Sequence, residues 1–441
     1  MTAPETIDAA LIRLARLHPK SIDLSLGRLE TLLDRLGRPQ DRLAPVIHIA
    51  GTNGKGSTAA FLAAMARAAG ERVHVYTSPH LVRFNERIVL DGVIVDDARL
   101  ADAFARVEAA NGEDPITFFE ATTAAAFLLF AETPADRLIL ETGLGGRFDA
   151  TNVIDSPQLC VITPVSLDHQ GFLGDTVEQI AGEKAGIIKP GTPVVIGPQS
   201  EGARAVITQA ARRIGAPAQV WGEDFRAYPE PDRLVYEEES LLWDLPAPCL
   251  PGAHQIVNAG VAAAAARSLG WNQDAVREGL RTASWPGRLQ RLSAGALADI
   301  ARAGDGELWL DGGHNPAAGE ALAASLGQMR GAGERPLVLI CAFGVNKDAA
   351  AFLSYFKGLA SRVIAVSFEG GREGMQTAQA VAEAARGAGL PAQTAAGLHE
   401  AIHDTLEDYD SARILICGSL YLAGAVLALH SGVGPVQPTP G

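Results

Sequence analysis

The chain has 441 residues, 47% hydrophobic, 20% charged and 6% aromatic, which excludes a disordered chain, a collagen and a disulfide-stapled miniprotein and leaves room for two or three domains. Its 37 basic and 51 acidic side chains give a net charge of −14, a field that repels a nucleic-acid backbone and leaves any anionic ligand to local groups. No apolar run approaches the ~20 residues that cross a membrane, the nearest being 121–131 and 420–429, and the first residues lack a basic-then-apolar signal, so no membrane association and a cytoplasmic location are expected.

In chain order, short runs rich in Val, Ile and Leu alternate with Gly-containing turns and Ala/Leu-rich stretches, the rhythm of an α/β protein. Strands are expected at 46–50, 73–77, 138–141, 160–163 and 194–196, and their near-continuous apolar character suits a parallel sheet covered on both faces. Residues 225–251 carry Pro229, Pro231, Pro246, Pro248 and Pro251, a density that predicts short antiparallel edge strands. An Ala-rich helix is expected over 258–269, and Trp285-Pro-Gly-Arg288 punctuates the chain. Beyond it the rhythm restarts, with strands at 308–310, 337–341, 363–366 and 414–417. Cys160, Cys341 and Cys417 fall inside these runs, where a thiol acts as a small buried hydrophobe, and none has metal-ligand spacing. The division expected is 1–284, 285–431 and a disordered Pro/Gly-rich tail, 432–441.

The run 46–50 leads into Gly51-Thr-Asn-Gly-Lys-Gly-Ser57 and then a helical stretch closed by Gly70. Glycines let consecutive N–H groups face a phosphate, the helix N-terminus adds partial positive charge, and Lys55 reaches the outer phosphates. ATP binding is therefore expected at Asn53, Gly54, Lys55, Gly56 and Ser57. The spacing is shorter than the common phosphate loop and resembles that of the Mur ligase superfamily, ATP-dependent enzymes that join a carboxylate to an amino acid. Further motifs narrow the resemblance to the folylpolyglutamate synthase family, including its bacterial dihydrofolate synthase form. They are Tyr76-Thr-Ser-Pro-His-Leu81, Thr117-Phe-Phe-Glu120, Glu141-Thr-Gly-Leu-Gly-Gly-Arg-Phe-Asp-Ala-Thr-Asn152, Leu167-Asp-His169, Glu183-Lys-Ala-Gly-Ile-Ile-Lys189, His254-Gln-Ile-Val-Asn258, Trp285-Pro-Gly-Arg288 and Asp311-Gly-Gly-His-Asn-Pro316.

The resemblance implies an N-terminal domain of P-loop type, with a mostly parallel sheet and helices on both faces, and a smaller Rossmann-like α/β domain. It implies transfer of the ATP γ-phosphoryl group to a carboxylate and attack of the glutamate amine on the acyl phosphate. The implied substrates are dihydropteroate or a reduced folate, L-glutamate and ATP, and the implied working unit is a monomer. Magnesium, two ions by the family pattern, would be held by Ser78, Glu141 and His169, each just after an expected strand. Taken alone, Glu141 would be an edge carboxylate and His169 a structural histidine. Glu183-Lys184 would be a solvated helix face, but in relatives the matching lysine is carbamylated and supports a second magnesium. Asn258, Arg288 and Asp311 match ATP-contacting positions, and His314 and Ser419 match the glutamate and phosphate end, with a helix cap the alternative for Ser419. Phe118, Phe119 and Phe148, with Thr117 and Asp149, are candidates for the pterin, Phe118 and Phe119 equally for the core; Gly27 and Arg28 match the family's first substrate segment.

Two other readings compete. Other Mur ligases carry a whole domain before the loop, whereas 50 residues precede Gly51 here. A GTP switch would need Asn-Lys-x-Asp, and Asn346-Lys347-Asp348 places its aspartate one residue early.

Overall fold

The computed structural model describes residues 7–16, 25–329, 335–368, 374–409, 411–432 and 436–437. Eight strands form the first sheet: β1 (Val46–Ala50), β2 (Val73–Tyr76), β3 (Ile88–Leu90), β4 (Val93–Ile94), β5 (Arg137–Glu141), β6 (Leu159–Ile162), β7 (Val194–Ile196) and β8 (Ala218–Val220). Their order is β4-β3-β2-β5-β1-β6-β7-β8. β1 pairs in parallel with β5 and β6, and only the β3 and β4 edge is antiparallel. Because side chains alternate across a strand, Ile47 and Ile49 enter the core on one face and Val46 that on the other. The first face is covered by the helices Lys55–Ala68, Ala253–Ser268 and Gln273–Thr282, the second by Asp97–Asn111 and Phe118–Glu132.

The proline-rich stretch forms an antiparallel sheet of β9 (Phe225–Glu230), β10 (Arg233–Glu238) and β11 (Leu241–Pro246), which packs on the same core as the Lys55–Ala68 helix. The last sheet comprises β12 (Gln290–Leu292), β13 (Glu307–Leu310), β14 (Leu337–Cys341), β15 (Ala360–Val366), β16 (Ala392–Ala395) and β17 (Arg413–Cys417). Its order is β12-β13-β17-β14-β15-β16, parallel except for β12, with a core on each face. Cys341 and Cys417 are register partners on β14 and β17, buried as thiols with sulfurs 3.6 Å apart.

The sequence reading lacks β3, β4, β8, β12 and β16. These are edge or near-edge strands of only two to four residues; Val93 and Ile94 are exposed, and β16 reads Ala-Gln-Thr-Ala. The Ala-rich helix starts at Ala253, five residues earlier than expected, directly after Gly252 at φ 115°. Between the two large sheets the chain passes Gly287 at φ 68° and Leu289 at φ 41°. That passage is tied down by Asp311, whose carboxylate accepts from Leu289 N (2.7 Å) and Gly313 N (2.6 Å). In the tail expected to be disordered, Gln437 makes three hydrogen bonds to residues 80–84; 433–435 and 438–441 lie outside the described residues.

Candidate active site

The carboxyl ends of β1, β2, β5 and β6 open onto the same cleft as those of β13, β14 and β17, which is where ligands collect in open α/β sheets. The cleft has a volume of about 770 Å³ and is lined by residues of both large sheets' loops.

β1 runs straight into the glycine loop. Gly54 is left-handed at φ 88°, and a side chain there would overlap the Asn258 amide. Gly54 also caps the Lys55–Ala68 helix without a side-chain acceptor, so the first-turn N–H groups are left for an anion. Asn258 donates to Gln255 (3.0 Å), and Gln255 donates to the Ser57 hydroxyl (3.2 Å), so the Ala253–Ser268 helix supports the loop from behind. The Trp285 ring covers Gly56, 2.7 Å from where a Cβ would stand.

Two amines converge on one oxygen: Lys55 Nζ donates to the Gly51 carbonyl at 3.1 Å and Lys184 Nζ at 2.8 Å. Lys184 is buried, not on a solvated face, and burial together with Lys55 lowers its pKa from 10.5 to about 7. Glu141, at the end of β5, lies 3.8 Å from Lys55 and accepts from Ser78 N–H. Burial raises its pKa from 4.5 to about 6 despite Lys55 and Arg288. No three His, Cys, Asp or Glu side chains among the described residues form a metal cage. The donor set suits magnesium even so, because that ion is held by one or two carboxylates with substrate phosphates and water. Ser78, Glu141 and His169 line the cleft around the phosphate loop.

The second domain closes the site with polar contacts. Asp168 accepts from Lys347 (2.7 Å) and from Asn315 (3.2 Å), and Asn315 also donates to Asn53 (3.0 Å). Burial alone would raise Asp168, but His169, Lys347 and His314 outweigh it and hold the carboxyl below the usual range. His314 Nδ1 donates to the Gly312 carbonyl (2.9 Å), which leaves Nε2 as a lone pair 4.0 Å from Asp168. Burial and Lys347 lower the His314 pKa to about 4, so the ring is neutral near pH 7. Arg288 lines the cleft, whereas both oxygens of Asp311 are taken by backbone N–H groups that fix the loops around it.

Sequence reasoning missed Lys347 and Asn315 as cross-domain contacts, since nothing in a local motif reports its partner in another domain. Asp348 accepts from Ala351 N (2.9 Å) and caps the Ala349–Ser354 helix.

On the substrate side Thr117, Phe118, Phe119, Phe148, Asp149 and Ser419 line the cleft, and Gly27 and Arg28 do not. Phe118, at the start of the apolar Phe118–Glu132 helix, is mostly buried against Phe84 while still bordering the cleft. Phe119 packs over Gly143 at the cleft wall, and Phe148 is 44% exposed in the cleft. Thr117 caps that helix in a reciprocal pair with Glu120, and Arg28 bonds to Glu120. Gly27 and Arg28 lie off the cleft wall; Arg28 borders a separate cavity of about 180 Å³, while Ser25 reaches the cleft. Asp149 is buried and accepts from Leu144 N (2.7 Å), Thr151 N (3.0 Å) and the Thr151 hydroxyl (2.5 Å), so it shapes the loop after Glu141. Ser419 is the cap of the Leu420–Ser431 helix, its oxygen accepting from Tyr421 N (3.2 Å), and it also lines the cleft.

A glycine loop on a parallel sheet, a buried carboxylate beside its lysine and a second α/β domain across the cleft define an ATP-dependent ligase of the Mur type. The comparisons agree. Residues 49–266 match the Mur ligase middle domain and 298–429 the dihydrofolate synthetase C-terminal domain. The dihydrofolate synthase/folylpolyglutamate synthase of Escherichia coli (strain K12) is 34% identical over 94% of this chain and 93% of its own. The structure of E. coli FolC in complex with DHPP and ADP superposes with a TM-score of 0.85 at 30% identity, over 97% of this chain and 98% of that one. The bifunctional enzyme of Yersinia pestis complexed with AMPPNP and Mn ion gives 0.84 at 31%, over 96% and 98%. The chain belongs to the dihydrofolate synthase/folylpolyglutamate synthase family, and with it come ATP use and a divalent metal. No helix among the described residues is long and apolar enough to cross a membrane.

Proposed function

We propose that the chain joins L-glutamate to dihydropteroate and extends reduced folates with further glutamate, as a monomer, using ATP and magnesium. The supporting observation is the convergence of Lys55, Lys184 and Glu141 at the phosphate loop, with His314 on the opposite wall of the same cleft. The glycine loop and the Lys55–Ala68 helix end hold the nucleotide phosphates, and Lys55 exchanges the Gly51 carbonyl for a phosphate oxygen. Ser78, Glu141 and His169 would hold magnesium, which when bound neutralises charge on the transferring phosphoryl group. A carboxylate oxygen of the folate substrate attacks the γ-phosphorus and the bond to ADP breaks. Arg288, on the segment joining the domains, meets the charge that develops there. The glutamate amine then attacks the acyl carbon, phosphate leaves, and His314 Nε2, neutral and unprotonated, takes the amine proton. Phe148 and Phe119 offer the pterin its aromatic contacts.

We further assign Lys184 as a carbamate. A buried amine with pKa about 7 is largely unprotonated at physiological pH; its nitrogen adds to CO2, a proton leaves, and the product is an anion.

The test is ADP formation with dihydropteroate plus glutamate and, separately, with tetrahydrofolate plus glutamate. Turnover should need both the acid and the amine in each case. Lys55→Ala should lower it by about a hundredfold or more with melting unchanged. A Lys55→Ala protein ligating at the parental rate would refute the reading.

A further inference from the structure

Residues 78–84 belong to the first domain by sequence, yet the last residues of the chain also grip them. Leu81 packs its side chain into the apolar core on one face of the second sheet. Its carbonyl comes so close to the Leu420–Ser431 helix that a Cβ on Gly424 would overlap the oxygen and stand 2.8 Å from the carbonyl carbon. Gly424 is therefore the opening that lets Leu81 dock. The tail adds a second grip. Gln437 N donates to the Val82 carbonyl (2.8 Å), and Phe84 N donates to the Gln437 side chain (2.7 Å). His80 Nδ1 accepts from Arg87 Nε (3.0 Å), so its Nε2 carries the proton and donates to the Gln437 carbonyl (3.1 Å). Glu86 completes the turn, its carboxylate accepting from Leu81, Val82 and Arg83 N–H at 2.7, 3.0 and 2.7 Å. Ser78, at the other end of this segment, donates its N–H to Glu141.

We infer that Leu81, Gly424 and Gln437 are positioning residues, forming a clasp through which the docked second domain sets Ser78 and Glu141 at the metal site. The inference rests on the proposed metal role of Ser78 and Glu141. Domain docking and completion of the metal site are then one event: a chain whose clasp is broken still has its phosphate loop, but Ser78 is no longer pressed against Glu141. Gly424 and Gln437 lie off the cleft lining, so changing them acts on metal requirement and turnover and not on the glycine loop's own hold on nucleotide.

Two variants test this, Gly424→Ala and a chain ended at Pro435, which removes Gln437. Alanine is the better helix former, so Gly424→Ala does not weaken its helix and acts through Leu81. In both, the magnesium concentration for half-maximal ligation should rise about fivefold or more, while ATP affinity measured in chelator stays within about twofold. If both variants melt as the parent does and keep its metal requirement, the inference is overturned. If Gly424→Ala does not fold, the shortened chain decides alone. Ser78→Ala measured alongside separates the two claims, because a parental metal requirement there removes Ser78 from the ligand set while the clasp is judged only by its own variants.

Discussion

Gly51 offers a single carbonyl oxygen to two amino groups, and the two lysines that share it differ in burial: Lys55 is 16% exposed at its side chain, Lys184 4% as a residue. Desolvation of the deep amine, with the nearby Lys55 charge adding to it, lowers the Lys184 pKa to about 7. Lys184→Ala should therefore abolish ligation while the fold survives, and a crystal grown near neutral pH should show density beyond Nζ. Full activity together with density ending at Nζ would return Lys184 to a structural role. Two other buried groups set the acid limit of the fold. His48, bonded to the Thr151 hydroxyl, and His80 are both held to about 3 by burial, with Lys189 and Arg87 respectively adding to the effect. Each is neutral when folded and protonates near 6.5 when unfolded, so its contribution is intact above pH 6.5 and is lost as pH falls toward 3. The slope is about 1.4 kcal/mol per pH unit for each ring. Urea titrations at pH 7.5, 6 and 5 should give steadily lower stability, and replacing either ring by a neutral residue should flatten the curve. A parental curve that is already flat would contradict this.

The turn between β1 and the Lys55–Ala68 helix shows what an element asks of a single residue. Gly54 takes a left-handed φ and leaves room for the Asn258 amide, two demands that any side chain fails. Gly54→Ala should weaken ATP binding by about tenfold or more through the combined backbone and steric cost, and parental affinity in a nucleotide titration would show the turn to be less constrained. The same element was the most legible in the sequence, because Val46–Ala50 is apolar except for His48, is fully buried and is followed at once by Gly51. Expected and observed boundaries also coincide for β7 and β14, both buried throughout. Edge strands escaped notice because a strand with one solvated side and two or three residues has no periodicity to find. Phe118 and Phe119 were ambiguous for a related reason: adjacent residues at a helix start point in different directions, and one faces the core while its neighbour faces Gly143.

At the scale of the molecule, one of the contacts between the two domains is a small polar cluster around Asp168. Truncating one member of a buried, hydrogen-bonded charge pair costs about 2–5 kcal/mol, much of it from the charge left behind. Lys347→Ala should accordingly lower kcat/KM for glutamate and expand the protein in solution scattering, and an unchanged scattering profile with unchanged kinetics would dismiss the pair as incidental. Motifs placed Glu141, Lys184 and His314 at one cleft in advance, Glu141 and His314 because their motifs sit at strand ends, Lys184 through its motif on the Val177–Ala185 helix. Asn315 to Asn53 and Lys347 to Asp168 were invisible, because they join residues 262 and 179 positions apart. The joint between the sheets carries a further consequence. Leu289 sits at φ 41°, a conformation that costs a side-chain-bearing residue about 1 kcal/mol, and one bond from Asp311 to its N–H keeps it there. Both partners of that bond belong to the second domain, on either side of the β12–β13 pairing, so the strained turn travels with that domain as one piece and carries Arg288, the residue before it, at the cleft edge.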